Sequence, residues 1–104
     1  MYTILTHEAA AEELVDLPSQ LRGRMFRLIE RLESEGNQLR MPHSRVLGGG
    51  LFELRVGDKD IARAVYAFSY GQTIYILHAF TKKTLKTPAS AIEIARIRLK
   101  EFMK

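Results

Sequence analysis

The chain has 104 residues, 46% hydrophobic and 27% charged, which fits one globular domain over residues 1–104 and excludes both a disordered chain and two separate cores. It contains no cysteine, which excludes disulfides and thiolate metal sites and makes a reducing, cytoplasmic setting the expectation. The start "MYTILTHEAAAEELVD" lacks the basic, apolar pattern of a signal peptide, and no apolar run approaches the ~20 residues that cross a bilayer, so no membrane partner is expected.

The formal charge is +4 and the isoelectric point about 9.6, and its distribution says more than its total. Residues 36–89 hold eight Lys or Arg against three acids, a net of +5, while the remainder carries −1. The positive charge therefore belongs to the middle of the domain, which admits a polyanion partner, although many ordinary proteins are this basic.

In chain order, "YTILT" (2–6) is rich in β-formers and reads as a short strand. Thr6 is placed to cap the helix "HEAAAEELVDL", whose Glu8, Glu12, Glu13 and Asp16 form an acidic stripe read as a solvated face. Pro18 ends that helix and opens the next. There Leu21, Met25, Leu28, Ile29 and Leu32 make one apolar face and Arg24, Arg27 and Arg31 another. Gly36-Asn37 closes it, and the two helices are expected to form an antiparallel hairpin on a sheet.

The stretch 37–50 shows no periodicity and reads as an irregular basic loop, with "GGG" (48–50) as a hinge. Three strands follow at 51–56, 60–69 and 73–80, separated by "GDK" and "YGQ", an antiparallel meander. Thr87-Pro88 opens a last helix with Ile92, Ala95, Leu99 and Met103 on one face. Its Arg96, Arg98, Lys100 and Lys104 are read as complementing the helix C-terminus. The expected fold is α+β, β-α-α-β-β-β-α, with a helical hairpin and a C-terminal helix against one face of a four-stranded, mainly antiparallel sheet.

Strand alternation puts Arg55 with Leu51 and Glu53, and Arg63 with Ile61 and Val65. Two neighbouring strands thus each carry a mid-strand arginine, expected on the sheet face that the helices leave open. A planar guanidinium on rigid backbone suits bidentate phosphate binding, although a solvated arginine would look the same. The third strand adds His78 and Phe80 in one parity and then Lys82, Lys83 and Lys86. Each alone is ordinary, the histidine as a packed or hydrogen-bonded residue, the phenylalanine as core and the lysines as a solvated loop.

Their convergence with the arginines suits cleavage of RNA by the neighbouring 2′-hydroxyl, because the phosphorane carries more negative charge than the ground state. Arg45, His78, Phe80 and Lys86 are the candidate substrate contacts, and Arg55, Arg63, Lys82 and Lys83 the candidate catalytic residues. A lysine crowded by other cations could act as base, since no Glu–His pair stands out. The chemistry needs no metal, and no carboxylate cluster or His-x-x-x-His spacing offers one a site, so no cofactor is expected.

These same residues carry a resemblance. "LFELRVG", "ARAVYAF" and "IYILHAFTKKTLKTP" leading into "IEIARIR" look like the RelE/ParE-like toxin superfamily, and its HigB-like, phage-associated branch in particular. The resemblance implies a type II toxin held in check by a cognate antitoxin, a small helix-turn-helix protein of HigA type. Many such toxins are ribosome-dependent mRNA endonucleases, and the resemblance carries the phosphate-binding arginine onto Arg63, a second basic position onto Arg55 and the branch's lysine pair onto Lys82 and Lys83. The tail "RLKEFMK" lacks the His-Tyr pair with which some relatives end, and the register of Glu53 as a strand base is open. ParE-like relatives share the fold and act on DNA gyrase, so a gyrase inhibitor and a non-catalytic nucleic-acid-binding module stand as alternatives.

Overall fold

A computed structural model describes residues 1–103; Lys104, grouped above with the basic residues of the last helix, lies outside them. Five strands form one sheet in the order β1-β5-β4-β3-β2. β1 (Thr3–Thr6) runs parallel to β5 (Thr73–Lys82). The antiparallel meander of β3 (Leu51–Val56), β4 (Ile61–Phe68) and β5 lies where the alternation predicts it.

The added strand is β2 (Ser44–Gly48), inside the stretch read as an irregular loop, so the sheet has five strands and not four. A register shift between Val46 and Gly48 breaks its two-residue alternation, which hides it from a periodicity test. Gly49 and Gly50, both at positive φ, join β2 to β3. The glycines are a tight hairpin turn and not a hinge, because two successive left-handed residues match the twist of the flanking strands.

α1 (Glu8–Val15) lies against β5, and α2 (Ser19–Glu35) crosses β3 and β4 on the same face. Leu14, Leu17, Met25, Leu28 and Leu32 are buried there against Leu54, Ala64, Tyr66 and Ile76. His7, not Thr6, caps α1: its Nδ1 accepts from Ala9 N–H at 3.1 Å, and its Nε2 faces Glu101 at 3.1 Å. Arg24, Arg27 and Arg31 all stay on the exposed side of α2, where Arg31 pairs with Glu35.

α3 (Ala89–Phe102) packs on the opposite face, over Leu51, Val65, Ala67 and Leu77. The helices therefore cover both faces of the sheet. Helix pairs joined by a short turn share a face, but α3 follows a six-residue connection from the end of β5 that carries it round the sheet. Its inner side is Ala91, Ile92, Ala95, Leu99 and Phe102, the last stacked on Tyr75 at 4.2 Å; Met103 is exposed. Among the described residues no helix is long and apolar enough to cross a membrane.

Candidate functional site

One residue of β5, Leu77, is extra in the ladder: Tyr66 pairs with Ile76 and Val65 with His78. This bulge turns Leu77 and His78 toward the same side, so β5 presents Tyr75, Leu77, His78 and Phe80 to the α3 face. α3 covers one end of that face. At the other end the register sets Arg55, Arg63 and Phe80 in one row across β3, β4 and β5, and Arg45, Glu53, Val65 and His78 in the next.

Arg63 is at the centre. Its relative exposure is 0%, and among the described residues none of its three guanidinium nitrogens has a hydrogen-bond partner. Burial holds its pKa below the ordinary arginine value, the charges of Arg55 and Arg45 add to this, and Glu53 opposes them. A buried guanidinium without an acceptor is costly, because the water it gave up has not been replaced. The Nε of Arg45 is likewise buried and without a partner.

Glu53 is the one carboxylate of these two rows, and it too is fully buried. Its Oε1 pairs with Nε of Arg55, and its Oε2 accepts from Thr87 Oγ1 at 2.7 Å. Nη2 of Arg55 donates to the Leu85 carbonyl. The expectation that both arginines lie on an open face is therefore corrected: they lie on the α3 face, Arg63 sealed and Arg55 tied down. Leu-Phe-Glu-Leu-Arg carries the sequence signal for Glu53, a carboxylate two residues from Arg55 in an otherwise apolar strand. Thr87 serves Glu53 and does not cap α3, which has no side-chain cap.

Lys82 ends β5 opposite Ile61, two residues beyond Phe80 and so on the same face; Lys83 and Lys86 follow in the connection to α3, and all three are exposed. None of the three is in an ion pair among the described residues. Arg45, Arg55, Arg63, Phe80 and Lys82 are thus brought to one end of one face, with Lys83 and Lys86 beside it.

His78 does not join them directly. Its ring stacks on Phe80 at 4.9 Å, and its Nδ1 lies 2.9 Å from Glu13 of α1. A Glu–His pair is therefore present, although none stands out in the sequence, because 65 residues separate its members. Arg98 of α3 grips the same Glu13 with two hydrogen bonds, at 2.7 and 3.0 Å, and donates to the Leu77 carbonyl at 3.0 Å. Glu13 also accepts from Ala79 N–H at 3.1 Å. β1 ends opposite Ile76, so beyond that point β5 has no neighbour on its outer side. The Glu13–Arg98 pair supplies there the acceptor and the donor that a further strand would have supplied. The readings of Glu13 as part of a solvated face and of Arg98 as complementing the helix C-terminus are corrected accordingly.

On the other face, a groove of about 750 Å³ opens between Leu39, Met41, Phe52, Tyr66 and Phe68. Its wall contains a buried 2.6 Å hydrogen bond between Ser44 and Tyr66. Arg40 and Arg45 also line this groove, but Arg55, Arg63 and the three lysines do not.

No curated protein matches the sequence. Among solved structures, the fold is similar to the toxin–antitoxin complex RelBE2 of Mycobacterium tuberculosis, with a TM-score of 0.59 and 21% identity over 78% of this chain and 98% of that one. It is also similar to a doubly substituted E. coli toxin RelE in the free state, with a TM-score of 0.65 and 16% identity over 96% of both chains. The backbone is thus of the RelE type. The family model of the phage-derived Gp49-like proteins (DUF891) matches residues 12–100, from α1 through α3, and the chain belongs to that family.

Proposed function

We propose that this protein is the toxin of a type II toxin–antitoxin pair and an endoribonuclease that cuts mRNA on the ribosome. The observation that carries the reading is Arg63, a fully buried guanidinium with no acceptor among the described residues and two further arginines around it. A folded domain keeps such a group at a cost to stability, and an anionic ligand supplies what it lacks.

In the proposed reaction the 2′-oxygen of a ribose attacks the adjacent phosphorus, its proton leaves to a base, and the 5′-oxygen departs with a proton. The products are a 2′,3′-cyclic phosphate and a free 5′-hydroxyl. Negative charge peaks on the non-bridging oxygens of the phosphorane. Arg63 and Arg55 are assigned to those oxygens, and Lys82 and Lys83 to the attacking and leaving oxygens. Phe80, level with Arg63, is assigned to stacking on a neighbouring base, with Arg45 and Lys86 on flanking phosphates. His78 acts through Phe80, whose ring it backs.

The partner proposed is a cognate antitoxin of the HigA-like, helix-turn-helix kind, and the toxin itself is placed in the HigB-like branch. The likeness to a RelBE complex supports an antitoxin without naming its type. Controlled expression of the wild type and of Arg63→Ala, with transcript 5′-end mapping, tests the reading. Growth arrest with new 5′ ends inside translated messages, both lost in the variant, is the expected result. Arrest without new 5′ ends would turn the reading toward a protein target such as gyrase, and no arrest toward a simple nucleic-acid-binding module.

A further inference from the structure

The arginine site is shut in this conformation. Arg63 has no exposed surface, and its neighbour Arg55 already donates to Glu53 and to the Leu85 carbonyl. The segment responsible for the second contact is residues 83–88, which runs from the end of β5 to the start of α3. It touches the site at two points. Leu85 O accepts from Arg55, directly across the ladder from Arg63, and Thr87 Oγ1 donates to Glu53, one row away.

Little else holds it. Residues 83–86 are exposed, and the Leu85 side chain, which would serve as an apolar anchor, is 70% exposed. The Thr84 hydroxyl bonds only within the segment, to the Lys86 carbonyl at 3.3 Å. A segment with so few buried apolar contacts opens at low cost, whereas the β3 and β4 residues beneath it do not.

We propose that residues 83–88 are a strap latched over the arginine site by Arg55–Leu85 and Thr87–Glu53, and that a phosphodiester opens it by replacing the Leu85 carbonyl on Arg55. A phosphate oxygen is a charged acceptor and outcompetes a neutral carbonyl for a guanidinium. Once the strap lifts, the unpartnered nitrogens of Arg63 add their bonds to the same anion. A neutral ligand gains neither advantage, so the latch discriminates for anions. Lys83 and Lys86 ride on the strap, and its return carries them toward the bound phosphate. The identity of the anion rests on the function proposed above; the gating does not.

Reaction of the arginines with phenylglyoxal, followed by peptide mapping, reads the gate without RNA. Exposed Arg24 and Arg27 are the internal reference. Arg63 is expected to react far more slowly than they do, and Thr87→Val, which keeps the side-chain shape and deletes the donor, to speed it about tenfold, the worth of one hydrogen bond to a charged group in a local opening. Equal rates at Arg63 and Arg24 in the wild type, or no acceleration in Thr87→Val, would overturn the strap.

A second measurement leaves Thr87 intact. The chain has no cysteine, so Leu85→Cys offers a single attachment point for a spin label. The label is expected to change mobility when a non-cleavable 2′-deoxy-substituted RNA oligonucleotide binds. Binding with an unchanged label would overturn the proposal. Absence of RNA binding, together with faster Arg63 modification in Thr87→Val, would uphold the strap and remove free RNA as the anion that opens it.

Discussion

Arg55 and Arg63 stand directly opposite one another in the β3–β4 ladder, and only Arg55 reaches a carboxylate. Like charges paired across strands are unfavourable. Glu53 offsets one of them and leaves the other buried without an acceptor among the described residues. The pair therefore separates two roles on adjacent strands. Arg55 is held by Glu53, and Arg63 is the group that the proposed function assigns to a phosphate oxygen.

That asymmetry predicts opposite effects on stability. Arg63→Met removes a buried, unpaired charge and is expected to be neutral or to stabilise by about 1–3 kcal/mol while abolishing growth arrest. Glu53→Gln strips Arg55 of its partner and is expected to cost about 3 kcal/mol. Urea denaturation of both variants checks this, and a strongly destabilised Arg63→Met would mean that the guanidinium is satisfied in solution.

The exposed lysines should behave differently again. A Lys82→Ala/Lys83→Ala double variant touches no buried contact and is expected to stay within about 0.5 kcal/mol of the wild type. Its loss of transcript cleavage at unchanged stability would place the lysines in the chemistry; full toxicity would remove them from it.

Acid stability should depend on Glu13. Burial pushes its carboxyl up, but hydrogen bonds from Arg98, Ala79 N–H and His78, and the charge of His78, outweigh this and hold it below its ordinary 4.5. A carboxylate whose folded value is depressed stabilises the protein above its unfolded value and loses that contribution as pH falls through the folded one. Wild type should therefore lose stability more steeply than Glu13→Gln below about pH 4.5. Near neutrality the variant should be weaker by about 2 kcal/mol, since it robs Arg98 of its ion pair. Parallel pH curves for the two proteins would contradict the assignment.

Two glycines offer a backbone test. Gly23 lies within α2 with nothing within 4 Å of an added Cβ, so Gly23→Ala should stabilise by about 0.5–1 kcal/mol. Gly36 has φ +54 and its Cβ would lie 2.0 Å from the Tyr2 ring, so Gly36→Ala should be clearly destabilising. Thermal unfolding of the pair, with midpoints moving in opposite directions, is the expected result.

Much of the architecture is local and so is legible in the chain. The alternation in "LFELRV" and "IARAVYAF" sorts Phe52, Leu54, Ala64 and Tyr66 to one core and Leu51 and Val65 to the other, because side-chain direction in a strand depends only on parity. The same parity puts Glu53, Arg55 and Arg63 together, and Pro18 and Pro88 mark where helices begin. What parity cannot convey is which element covers each face. That is why Arg63 looks solvated in sequence and is sealed in the fold, and why β2 and the His78 bulge escape notice where a single extra residue resets the alternation. The Glu13–His78–Arg98 cluster and the Thr87–Glu53 latch join residues 20 to 85 positions apart. Their partners are chosen by where β1 stops and where α3 crosses the sheet, and both are decided only when the whole chain packs.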